Sequence, residues 1–153
     1  MKKVKILLTL ILFSPFFLFS QPDTWIQKKD IGYYLTAGPQ ATSFGIGLSN
    51  GSKGYVFTED DDMENSDFWE YDPVTNLWSQ RADFPGTRRT GAIAFGVGSK
   101  GYYGTGFNGT SYVSDFWEYD PATNAWTAKA SFPGAVRKEA TGFSIGKMGY
   151  ITL

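Results

Sequence analysis

The 153-residue chain contains no cysteine and no histidine. The first absence excludes disulfides and a lipid-modified N-terminal cysteine, so stability must rest on packing and strand pairing. Together the two exclude Cys/His zinc sites and both Ser-His-Asp and Cys-His catalysis, while leaving carboxylate chemistry open. An excess of positive charge is also missing. Fourteen basic residues against 15 acidic ones leave a formal charge of −1, which argues against nucleic acid as a partner. No long stretch has the periodicity of an amphipathic helix, and only one long apolar run occurs.

That run, Ile6 to Phe19, follows Lys2, Lys3 and Lys5, contains Pro15 and is followed by Ser20-Gln21-Pro22. It reads as a secretory signal peptide over residues 1–20. A spanning helix needs roughly 20 apolar residues without an internal proline, so an uncleaved anchor is the lesser reading. Cleavage near Ser20 removes three basic residues and no acidic one, taking the charge to −4. The expected location is outside the cytoplasm: periplasm, cell surface or medium, with no membrane contact after cleavage.

The remaining segment, 21–153, echoes itself. Ser66 to Tyr103 returns 48 residues later as Ser114 to Ile151, with 21 of 38 positions identical. Both copies carry Asp-Phe-Trp-Glu-Tyr-Asp-Pro (Asp67 to Pro73, Asp115 to Pro121), then a Thr-Asn-x-Trp ending at Trp78 and Trp126, then Phe-Pro-Gly at 84–86 and 132–134. Repeats of this length are stacked supersecondary units. Within each unit, short runs of Tyr, Phe, Trp, Ile and Val are bounded by Gly, Pro, Asn, Asp and Ser, which predicts four strands per period. Alternation in Phe-Trp-Glu-Tyr places Phe68 and Glu70 on one face and Trp69 and Tyr71 on the other, so both faces need cover. Asp72-Pro73-Val74-Thr75-Asn76 and its copy at 120–124 predict tight turns in which Asp bonds forward and Asn takes the left-handed region.

Gly-Tyr-Tyr-Gly-Thr-Gly (Gly101 to Gly106), Asp-Phe-Trp-Glu-Tyr-Asp-Pro-x-Thr-Asn-x-Trp and the downstream Phe-Pro-Gly-x-x-Arg resemble the kelch motif, in the variant common in secreted bacterial kelch-like proteins. The likeness runs from about Phe44 to Leu153. It implies an all-β fold, a partial β-propeller of four-stranded antiparallel blades, with about two complete blades plus flanking strands. The blades are expected at about 45–84 and 92–132, with partial blades at 24–35 and 140–153. The usual Gly-Gly ending the second strand is replaced by Gly-Thr-Gly at 104–106 and Phe-Thr-Glu at 57–59. A closed ring needs more blades, which predicts a fragment of a longer propeller or, alternatively, a self-assembling partial one. Galactose oxidase activity, known on such propellers, is excluded because its copper site needs cysteine and histidine.

Repetition weighs against most tempting sites. Glu70 with Glu118 and Asp72 with Asp120 resemble paired acids, but recur as ladder and turn residues. Trp69, Trp78, Trp117, Trp126, Tyr71 and Tyr119 recur as core. Arg89 and Arg137 recur as bridges between blades. The acidic run Glu59, Asp60, Asp61, Asp62, Glu64 and Asp67 reads as a solvated loop, with Asp60, Asp61 and Asp62 as a candidate cation site. Phe107, Asn108 and Tyr112 lie where the copies differ, which makes them the binding candidates. No catalytic residue and no cofactor is expected. The reading is a non-catalytic exported binding or scaffold module, working through propeller loops on an unidentified protein or glycan. A carbohydrate-binding or carbohydrate-active secreted protein is the alternative, as is a homo-oligomer that completes a propeller.

Overall fold

The structure, a computed structural model, describes residues 27–28, 44–59 and 67–152. The stretch expected to be a signal peptide, the segment around Trp25 and the acidic run at 60–66 lie outside the described residues. Two four-stranded antiparallel sheets and a hairpin follow one another, with no helix among the described residues. The first sheet holds β1 (Phe44–Ser49), β2 (Gly54–Glu59), β3 (Phe68–Asp72) and β4 (Leu77–Gln80) in sequence order. The second holds β5 (Ile93–Val97), β6 (Lys100–Gly104), β7 (Phe116–Asp120) and β8 (Ala125–Lys129). The hairpin pairs β9 (Thr141–Ile145) with β10 (Met148–Thr152). The first strands stack in series, β1 beside β5 and β5 beside β9, so the sheets lie face to face as propeller blades do.

Turn chemistry sets the registers. Asp72 Oδ1 accepts the Val74 amide at 2.8 Å, Asn76 N donates to Asp72 O at 2.8 Å, and Asn76 sits at φ 58°. The second sheet repeats this with Ala122 N on Asp120 Oδ1 at 3.0 Å and Asn124 at φ 52°. Asparagine tolerates this left-handed region better than most side chains. Between β1 and β2, Asn50 Oδ1 collects the amides of Ser52 and Lys53 around Gly51.

Alternation along the strands then decides what each face covers. Phe68, fully buried, turns toward the second sheet with Tyr55, Phe57, Leu48 and Ile46, and meets Tyr103, Tyr119 and Trp126 there. Phe57 stacks on Tyr103 with ring centroids 4.0 Å apart. Each buried aromatic contributes about 1.5–3 kcal/mol by leaving water, so this inter-sheet layer dominates the stability of the pair. A second layer, Ile93, Phe95 and Phe116 with Tyr102 and Ile151, lies between the second sheet and the hairpin. Close approach has its own requirement. A Cβ at Gly96 would collide with the Ser49 carbonyl oxygen, so only glycine lets β5 lie this near β1.

Candidate functional site

The two ends of the sheets differ. At the end that carries the β1–β2 and β3–β4 turns, a cleft of about 380 Å³ is lined by Asn50, Lys53, Tyr55, Glu70, Arg81, Ser99 and Asp120, among others. Glu70 is buried and paired with Arg81 at 2.6 Å and Lys53 at 3.5 Å. Burial raises its carboxyl, but hydrogen bonds from Arg81 and Tyr55 and the nearby cations outweigh it and hold the group below its usual range. Lys53 also reaches Asp72 at 2.6 Å, lowering that carboxyl too. The second sheet copies the arrangement: Tyr102 donates to Glu118 at 2.7 Å, Lys129 pairs with Glu118 and Lys100 with Asp120. Burial, then the Glu118 hydrogen bond, pushes the Tyr102 hydroxyl up to about 12. A general acid needs a carboxyl raised toward working pH. These are lowered and held by their own lysines and arginines, as cross-strand ladders.

The opposite end carries the β2–β3 and β4–β5 connections. Arg89 leaves the first sheet there and its side chain is wholly buried in the second. It grips Asp115 with both nitrogens, at 2.6 and 2.8 Å, and donates to Thr105 O at 3.1 Å. Its guanidinium also covers the Phe84 ring at 5.0 Å. Thr105, fully buried at φ 60°, has no partner for its hydroxyl. A β-branched residue in that region is strained, and the Arg89 clamp on its carbonyl helps to hold it there. Arg137 repeats the approach, donating to Ala135 O at 2.9 Å and covering Phe132 at 5.0 Å.

Beside this clamp stand the residues singled out by their difference between copies. The connection from β6 to β7 is a small hairpin and not the open loop its Gly, Asn and Ser content suggests. Phe107 bridges Thr90 on one side and Tyr112 on the other. Asn108 Oδ1 closes the tip by accepting the amides of Thr110 and Ser111 at 3.0 and 2.8 Å. Phe107 and Tyr112 rings lie 5.3 Å apart, and Tyr112 remains 48 % exposed. Gly106 N donates to Arg137 O at 2.8 Å, which ties the hairpin to the next connection. The result is a rigid aromatic projection at one end of the sheets.

The kelch motif family model matches residues 106–133, from this hairpin through β8 to Phe-Pro. Over those residues the chain carries a kelch-type repeat, and its described sheets have the fold of propeller blades. The propeller fold extends beyond the matched stretch. The solved structure of YjhT, a kelch-type propeller, superposes with a TM-score of 0.61 at 20 % identity over 70 % of this chain. The chain spans 32 % of that protein, about a third of its length. No curated protein matches the chain.

Packing within and between the sheets accounts for the remaining aromatics. Tyr119 is fully buried, Trp69 nearly so, and Trp126 donates to Ala82 O at 2.9 Å across the two sheets. Tyr71 and Trp78 lie 5.0 Å apart on the other face of the first sheet. The candidate cation residues Asp60, Asp61 and Asp62 lie outside the described residues. Among those described, no cluster of three or more metal-ligating side chains occurs. Arg89 bridges the two sheets as its recurrence suggested; what the sequence did not single out is Asp115 as its partner, and the glycines that receive side chains from the neighbouring sheet. The signal for the first is present, since an Arg precedes an Asp by 26 residues across the repeat boundary.

Proposed function

We propose that the chain is an exported, non-catalytic kelch module that binds or scaffolds through the blade-end loops, with the Phe107–Tyr112 hairpin as its contact point. The observation that carries the reading is this projection: an exposed aromatic on a braced tip, in the loop where the repeats differ. Rigid aromatic anchors give binding area at low entropic cost and are common hot spots. The carboxylates of the opposite end support the non-catalytic side of the reading, being engaged by neighbouring cations. The charged and apolar order of residues 1–20 supports export.

Tyr112→Ala should weaken partner binding by about 2 kcal/mol, roughly thirty-fold, with Phe107→Ala similar and the fold intact by circular dichroism. Recovery of a protein partner from the surroundings of the producing cell by the parent chain, and its loss with Tyr112→Ala, supports the reading. A partner held equally by both variants overturns it. The carbohydrate alternative draws on the same residues, an exposed aromatic beside an amide, and binding of the parent chain on a glycan array would favour it. Export is tested separately by mass spectrometry of the protein outside the cell: a new N-terminus near Gln21 is expected, and an uncut chain retained in the cytoplasm refutes it.

A further inference from the structure

Two of the five asparagines precede glycine: Asn50 in the β1–β2 turn and Asn108 at the tip of the hairpin between β6 and β7. Both fold into the same turn. In the first, Asn50 N donates to Lys53 O at 3.3 Å, Asn50 Oδ1 accepts the amides of Ser52 and Lys53, and Gly51 sits at φ 88°. In the second, Asn108 N donates to Ser111 O at 3.1 Å, Asn108 Oδ1 accepts the amides of Thr110 and Ser111, and Gly109 sits at φ 89°. Both asparagines are half-buried and both glycines exposed.

The side-chain nitrogens are what differ. Asn50 Nδ2 donates to Tyr55 Oη and, across to the second sheet, to Ser99 O, each at 3.4 Å. The bonds of the Asn108 side chain are all made by Oδ1, which leaves its Nδ2 without a partner among the described residues.

We propose that Asn108 is a site of spontaneous deamidation, and that Asn50, in the twin turn, is protected from it. Solvent base takes the Gly109 amide proton, the freed nitrogen bonds to Asn108 Cγ, and the Cγ–Nδ2 bond breaks to release ammonia. Water then opens the five-membered imide at either carbonyl, leaving aspartate or isoaspartate with nothing oxidised or reduced. Glycine obstructs this attack least, having no Cβ beside the nucleophile. The two amides that donate to Oδ1 stabilise the charge that develops there as Cγ is attacked, as an oxyanion hole does. That help is common to both turns. Only at Asn108, however, is the leaving nitrogen free to turn and take a proton from solvent, whereas at Asn50 the same motion breaks two bonds, one of which ties the sheets together.

The aspartate product can keep the turn, since a carboxylate oxygen accepts the same two amides. Isoaspartate cannot, because the former side-chain carbonyl becomes part of the main chain. Either product puts a negative charge on the hairpin that carries Tyr112, so the tip of an aged molecule differs from that of a new one. What this does to binding rests on the hairpin being the contact point; the modification does not.

The full chain, kept folded in mildly alkaline buffer, would be sampled over time, digested with an acid-active protease and mapped by mass spectrometry, which reads the exchange of ammonia for water at each asparagine. No partner is needed. Asn108 should convert about ten-fold faster than Asn50, which must first give up its two hydrogen bonds. In urea sufficient to unfold the chain the two should convert at closely similar rates, because both are Asn-Gly and the turns are gone. Equal rates in the folded chain, a faster Asn50, or a difference that persists in urea would each overturn the proposal.

Discussion

At the scale of single residues, the Arg89–Asp115 pair matters most, because it fastens one sheet to the next through a guanidinium with no exposed surface. Removing one partner of a buried pair leaves an uncompensated charge, worth about 3–5 kcal/mol. Asp115 is 39 % exposed at its side chain, so water can reach part of the site and the lower end applies. Asp115→Ala should therefore cost about 3 kcal/mol in urea unfolding, well above the loss from an exposed pair such as Lys138 with Glu139. Burial raises the Asp115 carboxyl, yet hydrogen bonds from Arg89 and Trp117 outweigh it and hold the group below its usual range. A carboxyl lowered by folding stabilises the fold above its unfolded value and loses that contribution as pH falls through the folded one. The gap in stability between the parent and Asp115→Asn should then be full at neutral pH and shrink as pH falls below the ordinary aspartate range. A gap that does not change with pH would mean that the pair's charge contributes nothing.

Among the elements, close approach of successive sheets depends on particular glycines. Gly96→Ala drives a Cβ into the Ser49 carbonyl, a backbone atom that cannot move without shifting β1. Gly101→Ala meets only the Leu48 methyls at 3.3 Å, which can give by rotation. Overpacking of this kind costs about 1–3 kcal/mol, so Gly96→Ala should fall at or above the upper end and Gly101→Ala near the lower, both measurable by thermal unfolding. Equal losses would place the limit elsewhere. These two positions also mark where the sequence is legible. The Asp-Pro-x-Thr-Asn turns and the Phe-Trp-Glu-Tyr strands declare themselves, because a turn's chemistry and a strand's alternation are local. Phe68 and Glu70 do share one face and Trp69 the other, as the period of two requires. Gly96 carries no local sign of its role, since the atom it makes room for is 47 residues away. Thr105 is similar: its Gly-Thr-Gly setting marks a departure from the kelch pattern, but its left-handed backbone and clamped carbonyl are visible only with Arg89 in place. At the candidate site, difference between copies pointed to Phe107, Asn108 and Tyr112, while the bracing that makes a hairpin of them came from Thr90 and Arg137, outside the loop.

For the whole molecule, a stack of repeats has a stability that is the sum of sheet and interface terms, so it need not be uniform along the chain. The first two sheets share one aromatic layer in which Tyr55, Phe68 and Tyr119 are almost wholly out of water. The hairpin contributes Gly142, Gly149 and Ile151 to its layer and exposes the rest. A two-stranded hairpin is marginal by itself and depends on the surface it covers. Amides of β9 and β10 should therefore exchange by local opening, well before those of β2, β6 and β7, which should open only with the pair of sheets as a unit. Hydrogen exchange read by mass spectrometry would show this order directly. Uniform exchange across the ten described strands would instead mean that the hairpin is bound into the core as tightly as the sheets are to each other.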